Sequence, residues 1–272
     1  MKVGSLSTLI ILSFICSAFT EDDYWEKLFT YGGFPELKQS QEGYKVLVNT
    51  AYAVGYSETL KNPLWAAYRA GNLKGKQNSP TRWERPARFL VDTRTDARVE
   101  HDDYISSYER GHMVPDAMMG YQYGQIAQYE TYLLSNICPQ TRLLNRGIWM
   151  QLEGEIRDKL SQDDTEDKEV HDVWVITGPI FQSNPIPTLA SGIPIPDSFY
   201  KIIAYRRGYN GTVKAVSFVI PQEPSTDDIF DYLSSVDQIE ALTGIDFFPE
   251  LSTVKQDNLE SVKRDFLLET ID

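Results

Sequence analysis

The chain has 272 residues, of which 42% are hydrophobic and 24% are charged. This composition excludes a disordered or fibrous protein, and no apolar run reaches the ~20 residues that a membrane-spanning helix needs. The formal net charge is −13 at pH 7, and an acidic surface by itself disfavours contact with the phosphates of a nucleic acid.

The charges are unevenly distributed along the chain. Residues 56–88 hold seven basic and two acidic residues, whereas residues 221–272 hold three basic and thirteen acidic residues. The basic stretch could therefore face a polyanion. The acidic C-terminal region is most simply a solvated surface, and its alternative role is to bind a protein partner such as an inhibitor.

The first twenty residues have the pattern of an export signal. Lys2 precedes an apolar run over residues 3–15, small residues follow, and the chain turns polar at Glu21. We predict a signal peptide over residues 1–20 and a secreted or periplasmic protein; the alternative is a buried first strand or helix. Cleavage would remove Cys16 and leave Cys138 as the sole cysteine, which we expect to be buried and unable to form an internal disulfide.

The predicted elements follow one another without an internal repeat or a long linker, so we expect one domain over residues 21–272. Apolar runs predict strands over residues 44–57, 64–70, 87–92, 131–138, 173–181, 199–207 and 212–220. An Asn-Gly step at 210–211 predicts a hairpin between the last two. Helices are predicted over residues 22–29, 141–161, 227–243 and 257–269, the third ending at Gly244. The fold class is α+β, with a central, largely antiparallel sheet flanked by helices.

Three histidines are available for chemistry. His101 and His171 lie in acidic stretches and are predicted to be exposed and without a role, whereas His112 follows an Arg-Gly step in "SSYERGHMVPD". One cysteine and three histidines make a structural zinc site improbable, because such a site needs four nitrogen or sulfur ligands. His112 is therefore the candidate to examine as a base.

Two further candidates lie on the predicted helix over residues 141–161. Asn145 and Glu153 are eight residues apart, which leaves them about 80° apart and about 12 Å along the axis, with Trp149 and Leu152 packing inward. Asn145 could touch a metal directly and Glu153 could hold one of its waters, an arrangement that suits Mg²⁺. On spacing alone, the simpler interpretation is that no metal is bound: Asn145 caps a helix or faces solvent, and Glu153 is exposed.

Two ordered segments resemble a known family. The segments "YERGHMVPDAMM" and "YLLSNICPQTRLLNRGIWMQLE" resemble the DNA/RNA non-specific endonuclease family, the ββα-metal nucleases that include secreted bacterial enzymes and the endonuclease G group. The likeness runs from about Tyr44 to Leu251. It implies a ββα-metal nuclease fold and an Mg²⁺-dependent endonuclease, with Mn²⁺ as an alternative ion, that cleaves DNA and RNA. A restriction to DNA or to single strands and an inactive nucleic-acid-binding protein are the alternatives; the sequence indicates no oligomeric state.

The resemblance also implies roles for individual residues. His112 matches the general base, Asn145 the direct Mg²⁺ ligand, and Glu153 the acidic residue that orients metal-bound water. Asn136 matches the asparagine that supports the site, and Arg110 is the arginine of the first motif.

An upstream arginine and two departures complete the match. Arg85 matches the arginine that faces the phosphate, with Arg82 and Arg88 as nearby alternatives. Glu109 stands where the family usually has Asp, which implies a structural role with activity retained. Tyr132 stands where some members have Asn, which could alter substrate positioning or rate.

Overall fold

A seven-stranded antiparallel sheet forms the centre of the computed structural model, which describes residues 27–70, 83–161, 170–207 and 211–263. In spatial order its strands are β10 (Leu233–Ser234), β9 (Val213–Pro221), β8 (Ser198–Arg207), β7 (Val170–Ile180), β4 (Asn62–Ala70), β3 (Tyr52–Ser57) and β2 (Tyr44–Val48). Two small antiparallel pairs join β1 (Glu36–Leu37) to β11 (Ile245–Asp246) and β5 (Glu109–His112) to β6 (Ile137–Gln140). The predicted antiparallel α+β architecture is confirmed.

Six α-helices lie wholly within the described ranges, and residues 27–29, where the first described range begins, are also helical. The six are α1 (Asp116–Tyr123), α2 (Gln125–Glu130), α3 (Arg142–Arg146), α4 (Ile148–Ser161), α5 (Val236–Thr243) and α6 (Thr253–Glu260). Short 3-10 helices occupy His101–Tyr104, Leu134–Asn136 and Ile229–Tyr232. None of the described helices has the length and apolarity to cross a lipid bilayer.

Each face of the sheet has its own core because side chains alternate along the strands. On the face called here the front face, Tyr68 and Val175 pack in one cluster with Trp149 and Leu152 of α4. On the opposite, rear face, Ala67, Trp174, Ile176, Val236, Ile239 and Leu259 belong to a second cluster that includes residues of α5 and α6. The site described below therefore lies over the front face.

Several predicted boundaries differ from the structure, and local contacts give the reasons. The predicted helix over residues 141–161 is broken into α3 and α4 at Gly147, where a β-carbon would lie 2.3 Å from the carbonyl oxygen of Leu143. The predicted strand over residues 87–92 reduces to one bridge between Leu90 and Leu133, because the chain turns where the Asp92 carboxylate accepts the backbone N–H of Arg94.

Other predictions are confirmed in part. The hairpin of β8 and β9 pairs as expected, although its turn residues 208–210 lie outside the described ranges. Within the predicted helix over residues 227–243, the α-helix is limited to α5, and a 3-10 helix at Ile229–Tyr232 precedes it. The α-helix ends at Gly244 with the expected positive φ of 68°. Within 131–138 a 3-10 helix precedes β6, and Cys138 is fully buried, as predicted. The predicted signal peptide, Cys16 and Arg82 fall outside the described residues.

Candidate active site

The paired strands β5 and β6, followed by α3 and α4, form a ββα unit. Glu109 pairs with Gln140 at one end of the two-stranded sheet, and His112 pairs with Ile137 at the other. Gly111 is required between them because a β-carbon there would lie 2.0 Å from the side-chain oxygen of Gln140. The unit thus places His112 at the end of a strand, beside the helices that carry Asn145 and Glu153.

A cleft of about 1120 Å³ opens along this unit. Five of the predicted site residues line it: Arg85, Arg110, His112, Asn145 and Glu153. Asn136 is not among the lining residues, and neither is Arg88, whose guanidinium pairs with Asp102 at 2.7 Å. Of the two described candidates for the upstream arginine, only Arg85 lies in the cleft.

His112 is enclosed by aromatic rings. Its ring centroid lies 5.3 Å from that of Phe89 and 5.1 Å from that of Tyr132, which presents its edge. The Nε2 atom of His112 is buried and has no hydrogen-bond partner among the described residues. Burial lowers the pKa of His112 to about 4, with Asp116 opposing this shift. The imidazole is therefore neutral near pH 7 and can accept a proton.

Asn136 holds the backbone just beyond His112. Its side-chain oxygen accepts the backbone N–H of Val114 at 3.0 Å, and its amide donates to the carbonyls of Val114 and Thr131 at 3.1 and 3.0 Å. The side chain is fully buried. This position suits the predicted supporting role of Asn136. The side chain stabilises the backbone beside His112 and does not contact the cleft.

Asn145 is oriented by the residue that departs from the family pattern. Its amide nitrogen donates to Glu109 Oε2 at 2.8 Å, and Arg146 pairs with the other oxygen of Glu109 at 2.7 Å. Burial raises the pKa of Glu109, but the bonds to Arg146 and Asn145 outweigh it and the net pKa lies below its ordinary value. An ionised Glu109 thus fixes the amide nitrogen, so the carbonyl oxygen of Asn145 is the atom left for a ligand.

Glu153 has a partner that no sequence pattern selects. Lys201, on β8, has a side chain with no exposed surface, and its ammonium lies 3.4 Å from Glu153 Oε1 and 4.1 Å from the centroid of the Trp149 ring. Burial raises the pKa of Glu153 and lowers that of Lys201, and each charge opposes the shift of the other. Lys201 comes from β8, 48 residues further along the chain, so no local pattern in the sequence connects it with Glu153.

Asp116 is a second residue that the sequence reasoning missed. It lies in the first turn of α1, and it accepts a hydrogen bond from the Tyr132 hydroxyl at 2.7 Å and pairs with Arg85 at 2.9 Å. Tyr132 therefore contributes to the site in more than one way, because its hydroxyl holds Asp116 while its ring packs against both His112 and Phe89. An acidic residue two positions after "MV" in the first motif was the only signal available in the sequence.

The guanidinium of Arg110 is held by the segment that contains His101. It donates to the carbonyl of His101 at 2.7 Å and lies 5.8 Å from the centroid of the Phe89 ring. His101 is half-buried rather than exposed as predicted, because its Nδ1 accepts the backbone N–H of Phe89 at 3.0 Å. For His171 only the backbone, in β7, is described.

The donor atoms of the cleft fit a hard divalent cation. Asn145 supplies a neutral carbonyl oxygen whose orientation Glu109 fixes, and Glu153 supplies a carboxylate that is four-fifths buried. Mg²⁺ prefers such oxygen ligands and is commonly held by one or two protein groups together with waters. The cleft also contains Arg85, Arg110, Arg146 and Arg157, which makes it favourable for an anion.

A ββα unit with a neutral histidine at the strand end and oxygen donors on the following helices defines the class of ββα-metal nucleases. The family model for DNA/RNA non-specific endonucleases matches residues 34–254. The chain belongs to this family, and its members are metal-dependent nucleases. The predicted fold and the prediction of a phosphodiester-hydrolysing nuclease are confirmed.

Relatives support the same placement. A protein named Nuclease from Nostoc is 27% identical over 84% of this chain and 82% of its own length. The mitochondrial nuclease EXOG of Xenopus laevis is 26% identical over 75% of this chain, and the match spans 58% of that protein. The solved structure of an EndoG/EndoGI complex superposes with a TM-score of 0.70 at 22% identity, covering 89% of this chain and 96% of that chain.

Proposed function

We propose that the chain is an exported, Mg²⁺-dependent endonuclease that hydrolyses phosphodiester bonds in DNA and RNA without reading sequence. Membership of the non-specific endonuclease family supports the reaction class. Export rests on the signal-peptide pattern of residues 1–20. A secreted or periplasmic location follows from it.

The observation that carries this proposal is the state of His112. A neutral imidazole with an unpartnered Nε2 atom lines the same cleft as Arg85 and Asn145. A water between Nε2 and a bound phosphate would lose its proton to His112 as it attacks phosphorus. Activation of this water requires an atom that can accept its proton, and Nε2 of His112 is such an atom.

The other cleft residues suit the charge that develops on the phosphate. Arg85 and Arg110 can each donate to phosphoryl oxygens, and Asp116 holds the Arg85 side chain in place. Asn145 and Glu153 would hold Mg²⁺, or alternatively Mn²⁺, which supplies Lewis-acid stabilisation of the phosphoryl and leaving oxygens when bound. Glu109 and Lys201 keep these two ligand side chains in position.

The substrate range follows from the kind of contact. The proposed contacts are made to phosphate, and phosphate contacts position a nucleic acid without reading its bases. We therefore expect cleavage of both DNA and RNA. A protein inhibitor is a proposed partner, with the acidic C-terminal region as the surface suggested by the sequence; the superposed EndoG structure is a complex described in terms of EndoG inhibition.

The test compares plasmid DNA and RNA with and without Mg²⁺. The mature protein should degrade both substrates only with the ion, and the His112→Ala variant should lose about 10²–10⁴-fold of the rate because general-base catalysis is removed. His101→Ala is a matched control, since His101 caps a backbone N–H and lies outside the cleft.

Each outcome has a definite meaning. Cleavage of DNA alone, or of single strands alone, would retain the mechanism and narrow the substrate. A folded wild-type protein that cleaves neither substrate with Mg²⁺ or Mn²⁺, but shifts in a gel with DNA, would instead be a nucleic-acid-binding protein.

A further inference from the structure

Three carboxylates converge at the edge of the rear face, away from the cleft. Asp237 and Glu240 lie one turn apart on α5, and Glu260 is the last residue of α6. One carboxylate oxygen from each lies within 4.8 Å of the other two. These residues belong to the two C-terminal helices, whose buried side chains Ile239 and Leu259 pack in the rear core.

Glu260 is an unusual member of this group because it is buried without a partner. Its exposed fraction is 5%, and its Oε1 atom is buried with no hydrogen-bond partner among the described residues. A buried carboxylate oxygen left in this way costs free energy unless a proton or a cation satisfies it. Burial, and then the charges of Glu240, Asp237 and Asp246, raise the pKa of Glu260 to about 8.

The neighbouring positive charge does not balance the acidic groups. Lys38 donates to Glu240 Oε2 at 3.0 Å, but its side chain is 47% exposed. The other oxygen of Glu240 accepts the backbone N–H of Phe247 at 2.7 Å, which fixes the carboxylate. One half-exposed ammonium thus acts on Glu240, Asp246 and Glu260, while Asp237 adds a further acidic group beside Glu260.

We propose that Asp237, Glu240 and Glu260 bind a hard divalent cation, with Ca²⁺ as the best match, and so connect α5 to α6. Ca²⁺ accepts six to eight oxygens in flexible geometry, and carboxylates that bind through one or both oxygens together with waters satisfy it. Near neutral pH the ion would replace the proton on Glu260, whose pKa is about 8, and so supply a partner for its buried oxygen. It would also offset the charges of Asp237 and Glu240. Its role is to stabilise the C-terminal helices, separately from any ion held in the catalytic cleft.

The test measures Ca²⁺ binding to the full, metal-stripped chain by calorimetry and by thermal unfolding. Asn145→Ala serves as the background, because it removes the proposed ligand of the cleft and leaves the rear site intact. We expect one Ca²⁺ per chain in this background. At about 100 times the dissociation constant, Ca²⁺ should raise the unfolding midpoint by on the order of 5 °C.

Two substitutions and one control assign the site. Glu260→Gln should abolish the Ca²⁺-dependent shift, while folding at least as well as the parent without Ca²⁺ because a buried carboxylate is removed. Asp237→Asn, at an exposed position, should weaken binding about tenfold without disturbing the core. Glu250→Gln, a change at an exposed carboxylate that is not in the cluster, should bind like the parent.

Two results would overturn the proposal. Unchanged binding and an unchanged thermal shift in Glu260→Gln would place the ion elsewhere. No binding of Ca²⁺ or Mg²⁺ by the Asn145→Ala parent would mean that Lys38 and a protonated Glu260 complete the cluster without a metal.

Discussion

The two faces of the central sheet both bury apolar side chains, but they place their buried charged groups differently. On the rear face the sheet contributes small and aromatic residues, among them Ala67, Ala204 and Trp65. On the front face it also buries the ammonium of Lys201 against Glu153. Burying charged groups costs free energy unless they are paired. The rear face also buries a charged group, the Asp172 carboxylate, which pairs with Arg69 and Arg206. These residues do not line the cleft, whereas Glu153 does. Only the front face therefore gives up stability to hold a charged pair beside the cleft.

In this comparison the largest expected effect is on kcat/KM, and it distinguishes Arg85 from Arg88, three residues further along the chain. Arg85→Ala should reduce kcat/KM by about 10²–10³-fold, as expected when a donor to a developing anion is removed. Arg88→Ala should stay near wild type, because that side chain pairs with Asp102 at 60% exposure. Steady-state cleavage of a short duplex measures both, and equal losses would show that Arg85 has no special role.

The second prediction concerns the free energy of unfolding and its dependence on pH. The pKa of His112 is about 4 in the folded chain, against 6.5 for an ordinary histidine. Between these values the unfolded state binds the proton more tightly, so the contribution of His112 is complete above about pH 6.5 and is lost as pH falls toward 4. The full shift corresponds to about 3 kcal/mol.

Urea denaturation at pH 7, 5.5 and 4.5 measures this contribution. Wild type should lose more stability over this range than His112→Gln, which cannot be protonated. Parallel losses in the two proteins would mean that His112 titrates normally in the folded chain.

The third prediction contrasts the buried pair of the front face with an apolar residue of the rear face. Lys201→Met leaves Glu153 without its partner and should cost about 2–3 kcal/mol, below the usual ~3–5 kcal/mol because Glu153 retains some contact with solvent. Activity should fall as well, since the position of Glu153 is no longer fixed. The Lys201→Met/Glu153→Gln double variant should recover stability but not activity.

Ile239→Ala provides the comparison. Ile239 is a fully buried residue of α5, so its replacement by Ala should lower the free energy of unfolding by about 2–4 kcal/mol. The value of kcat/KM should be unchanged at temperatures where the variant is folded. If Lys201→Met lost stability but kept its activity, as expected for Ile239→Ala, then Lys201 would have no role in the activity of the cleft.

The smallest expected effect is the response to salt. Two phosphate contacts, from Arg85 and Arg110, predict a fall of about tenfold in substrate affinity between ~50 and ~200 mM monovalent salt. Gel-shift titrations with the His112→Ala variant in this range measure it without cleavage. A flat response would mean that neither arginine contacts phosphate.

The sequence predicted well those features that depend on local order. The motif segments indicated the ββα unit, because strand, turn and helix there are consecutive, and Asn145 and Glu153 line one cleft as expected. The broken helix at Gly147 was missed because a single glycine is tolerated in many helices. Only the folded backbone shows that this position is non-helical, with φ −99° and ψ −118°, and that a β-carbon there would collide with the Leu143 carbonyl.

Features that depend on distant segments could not be predicted. Lys201 comes from a strand far along the chain, and neither its spacing nor its composition indicates a contact with Glu153. Asp116 lies close to His112 in sequence, but its role depends on Tyr132 and Arg85, which meet it only in the folded chain. Long-range pairing of charges leaves no periodic signal in a single sequence.

The connection between β5 and β6 has a consequence for how this enzyme can diversify. Residues 113–136 leave β5 and return to β6, and three hydrogen bonds tie Met113 and Val114 to Asn136 at the base of this insert. Beyond that closure the insert carries α1 and α2, with Asp116 and Tyr132 forming one wall of the cleft. Met119 and Ala127 of the insert are fixed by the front core, but Ile126 and Tyr129 are exposed. Substitution at these exposed positions should therefore change the rim of the insert without changing the register of the two strands.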